Sequence, residues 1–461
     1  MSKKITKFGV VSLAVGAIIG WGAFILPGEL FIKEIGILNS IIGLFIGAVI
    51  MIIIETNYQY MMNICPVSGG EIAYVYRAFG RKQAFITGWF LALAYLCIIP
   101  LNATALILIV QKFSATLLKK GLLYIVAGYP IYLVEILVIS TVIIIFAYFN
   151  IKGLHYSSNL QNVMVIFLTS IITIMIIFIF VNSSINKALL ISQVRINNFK
   201  VNSILKIIAI APWAYIGFDT LPQVAEDLNF SNKKISLLAI ISILIGFLIY
   251  SFLIIITGVK FTAEILNNNF IEWATGEAVE KIFGRLGLVF LGISLLMAIT
   301  AGINGFYIAT SKLLCSMAEG KMLPNFFAKK TKEGIPKNAI IFLMLVSLIT
   351  PWFGRKVLLW IVDMSSFGAA LGYFYTCLSS FKLAKDFKDR RNIILGFIGL
   401  SLGIIFLILL LYPSFSTSLT YPSYIALLLW IVLGIMFYKK ISLEYNSVPK
   451  EKLDKLILKR K

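Results

Sequence analysis

The chain has 461 residues, 60% hydrophobic and only 13% charged, with a mean hydropathy of +0.95. A water-soluble chain carries roughly 25% charged residues, so soluble enzymes and disordered chains are excluded and a membrane protein is predicted. The net charge of +21 falls in clusters between or beyond apolar runs, which is the bias of cytoplasmic membrane loops and anionic lipid contacts, not of a nucleic-acid surface.

Runs long enough to cross about 30 Å of hydrocarbon are predicted at 8–31, 36–62, 84–111, 122–149, 157–182, 204–225, 235–258, 286–311, 338–353, 357–381, 392–412 and 421–438. With twelve spans both termini lie on one side. Placing them in the cytoplasm puts 28 Lys and Arg in inner segments against 13 in outer ones. The first run contains Trp21, Pro27 and Glu29 and has no small-x-small cleavage site, so it reads as a span and not as a cleaved leader.

The first run, GVVSLAVGAIIGWGAFILPGELF, is interrupted by Gly16, Gly20, Gly22, Pro27 and Gly28. The sixth, IIAIAPWAYIGFDTLPQVAED, is interrupted by Pro212, Gly217 and Pro222. Gly22 to Pro27 aligns with Gly217 to Pro222 at an offset of 195 residues and five spans, and an odd offset sets the two copies in opposite topology. Matched breaks of this kind point to a binding site at the membrane midplane. Unwound backbone in hydrocarbon is tolerated only around a protein-lined cavity. There the half-helix N-termini favour an anion and freed carbonyls favour a cation, so a zwitterion fits both.

At these residues the chain resembles the amino acid-polyamine-organocation (APC) superfamily of permeases over nearly its whole length. Four stretches carry the likeness: GAIIGWGAFILPG (16–28), PVSGGEIAYVYRAFG (66–80), YIGFDTLPQVAED (215–227) and SKLLCSMAEGKMLPNFF (311–327). The resemblance implies an all-α membrane protein of about twelve transmembrane helices, with a five-plus-five inverted-repeat core like that of sodium-coupled neurotransmitter transporters. The division it gives is a first repeat at 1–182, a second at 183–391, two further spans at 392–442 and a basic cytoplasmic tail at 443–461.

The resemblance further implies that amides at Gly20, Trp21, Gly22 and Ala23 hold a substrate carboxylate. Carbonyls at Trp213, Ala214 and Ile216, beside Gly217, hold its amino group, and Trp213 or Phe218 serves as an aromatic gate. Three residues depart from the family pattern. Trp21 stands between the two glycines where a small residue is usual. Lys312 replaces an arginine, and Leu168 occupies the place of a lysine found in proton-coupled relatives, which leaves H+ and Na+ both open as the coupling ion.

Ionisable and polar residues inside the spans are costly and should face a cavity or a partner. Asp219, two residues past Gly217, reads either as part of the substrate or proton path or as a cap on the broken helix. Glu55 in the second span, and Thr300 and Asn304 in the eighth, are candidates for coupling or gating, with interhelical hydrogen bonding as the alternative. Asn102 in the third span reads as lining the pocket or an ion site, or as interhelical hydrogen bonding. Asp363 reads as an interfacial contact, Glu226 and Asp227 as the inner end of the sixth span, and His155 as a loop residue. Cys65, Cys97, Cys315 and Cys377 lack metal or disulfide spacing, so no metal, catalytic group or cofactor is expected.

The function expected is secondary active transport of an amino acid or related amine across the cytoplasmic membrane by alternating access. The competing readings are a receptor or channel on the same fold and, with no catalytic cluster in sight, a membrane-embedded enzyme. No nucleotide-binding motif is present, so energy comes from a gradient.

Overall fold

The computed structural model describes residues 5–126, 129–181, 191, 193–194, 199–228, 230–269, 271, 273–354, 356–415, 417–445 and 448–459. The chain is an all-α membrane protein. Nine of the described helices are long and apolar enough to cross a membrane, and a bent pair at the N-terminus makes a tenth.

That pair is α1 (Lys7–Ile18) and α2 (Gly22–Leu26), the latter continuing as a wider π-helical segment over Pro27–Ile35. Thr6 caps α1 by accepting from the Gly9 N–H at 3.1 Å. Ile19 is extended, and the two halves meet at 47°. Then follow α3 (Ile37–Ile64), the short α4 (Glu71–Phe79) and α5 (Arg81–Leu118).

The predicted fourth span needs a correction at its start. Two strands pair antiparallel there, β1 (Leu122–Val126) with β2 (Tyr129–Tyr132), and the helix α6 begins only at Leu133 and runs to Lys152. Gly121, at φ +69, turns the chain into β1, and Pro130 has no N–H to continue a helix.

Next come α7 (Leu154–Val181) and α8 (Val201–Ala214), the latter followed after a break by a 3-10 segment over Phe218–Asp227. After α9 (Asn232–Gly258) and the short α10 (Ala263–Asn268), α11 (Ala274–Glu319) is bent at Gly284, which has φ +70. The ninth predicted run is the short apolar α12 (Lys337–Ser347) with a turn at Thr350–Phe353. The chain ends with α13 (Lys356–Asp386), α14 (Arg390–Leu411), α15 (Tyr421–Tyr445) and α16 (Lys450–Leu458).

The core surrounds the two broken helices. α1 packs on α7, α9, α11 and the 3-10 segment after α8, while α5 lies against α11 and α13. The outward faces of α14 and α15 are studded with exposed Ile, Leu and Phe, as a lipid-facing surface requires.

The basic tail is not free. α16 docks on α4 and α11 with Leu453 and Ile457 buried; the Tyr76 hydroxyl donates to Asp454 at 2.8 Å and Lys459 pairs with Glu226 at 2.6 Å. The predicted division at 182–183 and the side chain of His155 lie outside the described residues. The four cysteines are buried, and among the described residues none forms a disulfide.

Candidate functional site

The two breaks touch. Gly217, at φ +139, lies so close to the end of α1 that a Cβ there would sit 2.7 Å from both the Ala17 Cβ and the Ile18 nitrogen. Only glycine adopts that backbone conformation without strain. The first break is held from α5: Asn102 Oδ1 accepts the Trp21 N–H at 3.3 Å, while its Nδ2 donates to the Ile98 carbonyl at 3.1 Å. Asn102 fits tightly between Gly20 and Gly302, since a Cβ at either would come within 2.9 Å of its amide. Helix resumes at Gly22, so the first N–H groups of that helix face the break.

Between the breaks lies a cavity of about 20 Å³, lined by Gly20, Trp21, Gly22, Asn102, Trp213 and Ile216 among others. That is room for about one water. Two indoles fill the remaining space: Trp21 and Trp213 meet edge to face at 6.1 Å, both buried, and a Cβ at Gly22 would strike the Trp213 ring. Neither indole N–H has a hydrogen-bond partner. A buried donor with no acceptor is uncommon and calls for an explanation. A larger cavity, about 380 Å³, opens elsewhere, beside Lys33, Asn39, Lys200 and Glu264.

The other residues singled out by sequence separate into distinct groups. Ala23 is buried just inside the helix that resumes at Gly22, and Ala214 ends α8. The Trp213 carbonyl already accepts the Ile216 N–H at 3.2 Å. Phe218 lies away from the cavity, stacked on Tyr373 at 5.6 Å and edge-on to Tyr58, so Trp213 alone of the two gate candidates lines the cavity.

Asp219 is fully buried and caps the broken helix. Its Oδ1 accepts the Gly217 N–H at 2.7 Å and its Oδ2 accepts the Tyr95 hydroxyl at 2.9 Å. Asp219→Asn preserves both contacts, because the amide donates to the Tyr95 oxygen while that hydroxyl still reaches the residue 219 carbonyl at 3.0 Å. Asp219→Ala removes them. Hydrogen bonds to a charged group contribute about 1.5–3 kcal/mol each, so the thermal unfolding midpoint should fall clearly for Ala and little for Asn. Equal losses would refute the capping role.

Glu55 is remote from the cavity and accepts from Ser236 of α9 at 2.6 Å. Thr300 bonds back to its own helix at Leu296, 2.7 Å away. Asn304 is the centre of a polar cluster: its Nδ2 donates to the Ser157 carbonyl and to Gln161, and its Oδ1 accepts from Asn150 and Ser157.

At the end of the bundle that carries α4 and α16, Lys312 forms an ion pair with Asp227, Glu226 accepts the Ser68 N–H at 2.9 Å, and the Ile5 N–H donates to the Asp227 carbonyl at 3.0 Å. Asp363, at the opposite end of α13, caps α15 by accepting from the Thr420 N–H at 2.9 Å. Tyr95, Glu71 and Tyr250, the last a further residue of the cavity wall, were not legible as site residues in the sequence. Only Glu71 carried a signal, as an acid following the two glycines of the 66–80 stretch.

A multi-span helical bundle with two glycine-broken helices meeting at a small interior cavity is the architecture of a membrane transporter. The chain belongs to the amino acid permease family, whose model matches residues 5–437. It is 22% identical to the amino-acid permease RocC of Bacillus subtilis, over 81% of this chain and 79% of that protein. It is also 22% identical to the glutamate/serine transporter AimA of Bacillus subtilis, over 89% and 77%, and 22% identical to the methylthioribose transporter of the same organism, over 71% and 70%. Members of this family transport and do not catalyse, so the chain is not an enzyme.

Proposed function

We propose that the chain is a secondary active transporter that moves an amino acid or related amine across the cytoplasmic membrane by alternating access, binding it between the breaks of the first and sixth spans. The contact of Gly217 with the end of α1 supports this reading, because it brings the two unwound segments together beside a cavity. Of the N–H groups at Gly20 to Ala23, that of Trp21 is held by Asn102 and the others are offered to a carboxylate, while the carbonyls of Trp213, Ala214 and Ile216 are offered to an ammonium group. The unpartnered indoles of Trp21 and Trp213 offer further donors. The basic clusters favour both termini in the cytoplasm, and repeats at 1–182 and 183–391 account for the matched breaks.

A cavity of about 20 Å³ is too small for an amino acid, so Trp21 or Trp213 swings aside on binding. Exchange of labelled amino acids across liposomes containing the purified protein tests the reading, with H+ and Na+ gradients imposed in turn. Absence of saturable exchange for every amino acid and amine tried would overturn it. Trp21→Ala enlarges the cavity and should change the Kd for bulky amino acids by roughly tenfold or more relative to small ones, about 1.4 kcal/mol of discrimination. A thermal-shift series reads this directly, because ligands stabilise the state they bind. An unchanged ranking of ligands would mean that the substrate does not meet Trp21.

A further inference from the structure

Glu71 opens α4, immediately after the PVSGG stretch. Gly69 (φ +92) and Gly70 (φ +32) bring this turn close against its neighbours: a Cβ at 69 would lie 2.6 Å from that of Ser316, and one at 70 would strike Pro222. The turn thereby seats the Glu71 side chain in the interior, with no solvent exposure. Its Oε2 accepts from Gln223 Nε2 at 2.5 Å, which joins α4 to the 3-10 half of the sixth span.

The remaining oxygens of this pair, Glu71 Oε1 and Gln223 Oε1, are both buried and neither accepts a hydrogen bond. An ionised carboxylate beside an amide brings acceptors in excess of donors. A proton on the carboxyl supplies the missing donor, since a neutral acid and a primary amide each offer one donor and one acceptor to the other.

The groups facing Glu71 offer no compensating positive charge. They are Tyr58 of α3, Tyr74 of α4, Tyr95 of α5, Tyr373 of α13 and, from the sixth span, Asp219. Among the described residues no lysine or arginine forms an ion pair with it.

We propose that Glu71 and Gln223 form a proton-binding site, occupied while α4 and the 3-10 half of the sixth span are in contact and emptied when they part. Burial pushes the Glu71 carboxyl well above the usual carboxylate range, and the neighbouring Asp219 adds to this. The emptying step rests on the transport reading; the occupancy does not, and the two are tested separately.

Glu71→Gln suits the test because an amide–amide pair keeps the complementary contacts without a titratable proton. In infrared spectra of the purified protein at neutral pH, the carboxylic-acid stretch should contain a component that Glu71→Gln removes and Glu55→Gln does not. An acid band unaffected by Glu71→Gln overturns the proposal. If Glu71→Gln fails to fold, Gln223→Leu removes the partner and leaves the acid, so the same component must move in frequency; an unmoved band again overturns the pair.

In liposomes loaded with a pH-sensitive dye, wild-type protein should carry protons with amino acid, and Glu71→Gln should reduce the protons moved per amino acid to about zero. Equal ratios in the two proteins, or wild-type net amino acid uptake without proton movement, overturn the proposal. Wild-type vesicles that exchange no amino acid refute the transport reading instead, and the infrared component then decides occupancy alone.

Discussion

Replacing Gly217 by alanine should abolish transport and lower the thermal unfolding midpoint, the largest effect expected of any single methyl group in this chain. Two costs add. At φ +139 the backbone is in a region that residues with a Cβ occupy at about 1–3 kcal/mol of strain. The added carbon also falls 2.7 Å from the Ile18 nitrogen and 2.9 Å from the Ala17 carbonyl carbon. These are main-chain atoms, with no side-chain rotation to relieve the contact, so the end of α1 must shift away from the sixth span. Gly153 provides the control, because its φ is +133 and nothing lies within 4 Å of the position of its Cβ. Gly153→Ala therefore bears the strain without the collision and should retain uptake. Comparable uptake losses in the two variants would mean that backbone strain alone, and not the contact of the breaks, underlies the phenotype.

The breaks themselves were legible in the sequence because glycine and proline mark backbone that cannot remain helical, and their repetition 195 residues apart is visible without any structure. The apolar runs were legible for a similar reason, since a span is set by length and composition. What composition does not encode is the geometry of a short apolar stretch. LLYIV at 122–126 is an apolar stretch like the helix after it, yet it pairs antiparallel with Tyr129–Tyr132, and periodicity over so few residues does not separate strand from helix. The tail at 443–461 reads as basic and cytoplasmic, and its lysines do not announce that Leu453 and Ile457, spaced four apart on one helical face, bury against the bundle.

Candidate site residues divided along the same line. Gly22 and Gly217 are legible because they interrupt a span, whereas Trp21 and Trp213 are candidates only through the resemblance to the permease superfamily. The roles of Asp219, Glu55 and Asn304 depend on which side chains from distant spans face them, and one sequence holds no such information. Glu71 is the clearest case. In a polar, glycine-rich connection it looks solvated, and only the approach of Pro222 and Ser316 to the two glycines places it inside the protein. The interior of this transporter thus contains acids of different standing: Asp219 has both carboxylate oxygens engaged by donors, whereas one oxygen of Glu71 has none.

Asn304→Leu is expected to destabilise the protein by roughly 2–5 kcal/mol, because each buried polar group left unpaired costs about 1–3 kcal/mol. The amide of Asn304 is the donor to the Ser157 carbonyl at 2.9 Å and to Gln161 Oε1 at 2.8 Å, and leucine offers neither. Asn150 and Ser157 lose an acceptor but keep one another, through the Ser157 hydroxyl and Asn150 Oδ1 at 2.9 Å. The damage reaches the first span, because Gln161 also donates to the Ser12 carbonyl at 3.2 Å and its side chain fills the space left by Gly16. A Gln161 freed from Asn304 no longer holds α1 at a fixed distance below the break, so uptake should fall with stability. Thr300→Val, one turn earlier on the same helix, removes only a hydroxyl bonded back to its own helix and should change stability by less than about 0.5 kcal/mol. Thermal unfolding in detergent, followed beside uptake in liposomes, separates the two variants. An Asn304→Leu protein as stable and as active as Thr300→Val would show that this polar cluster fastens nothing.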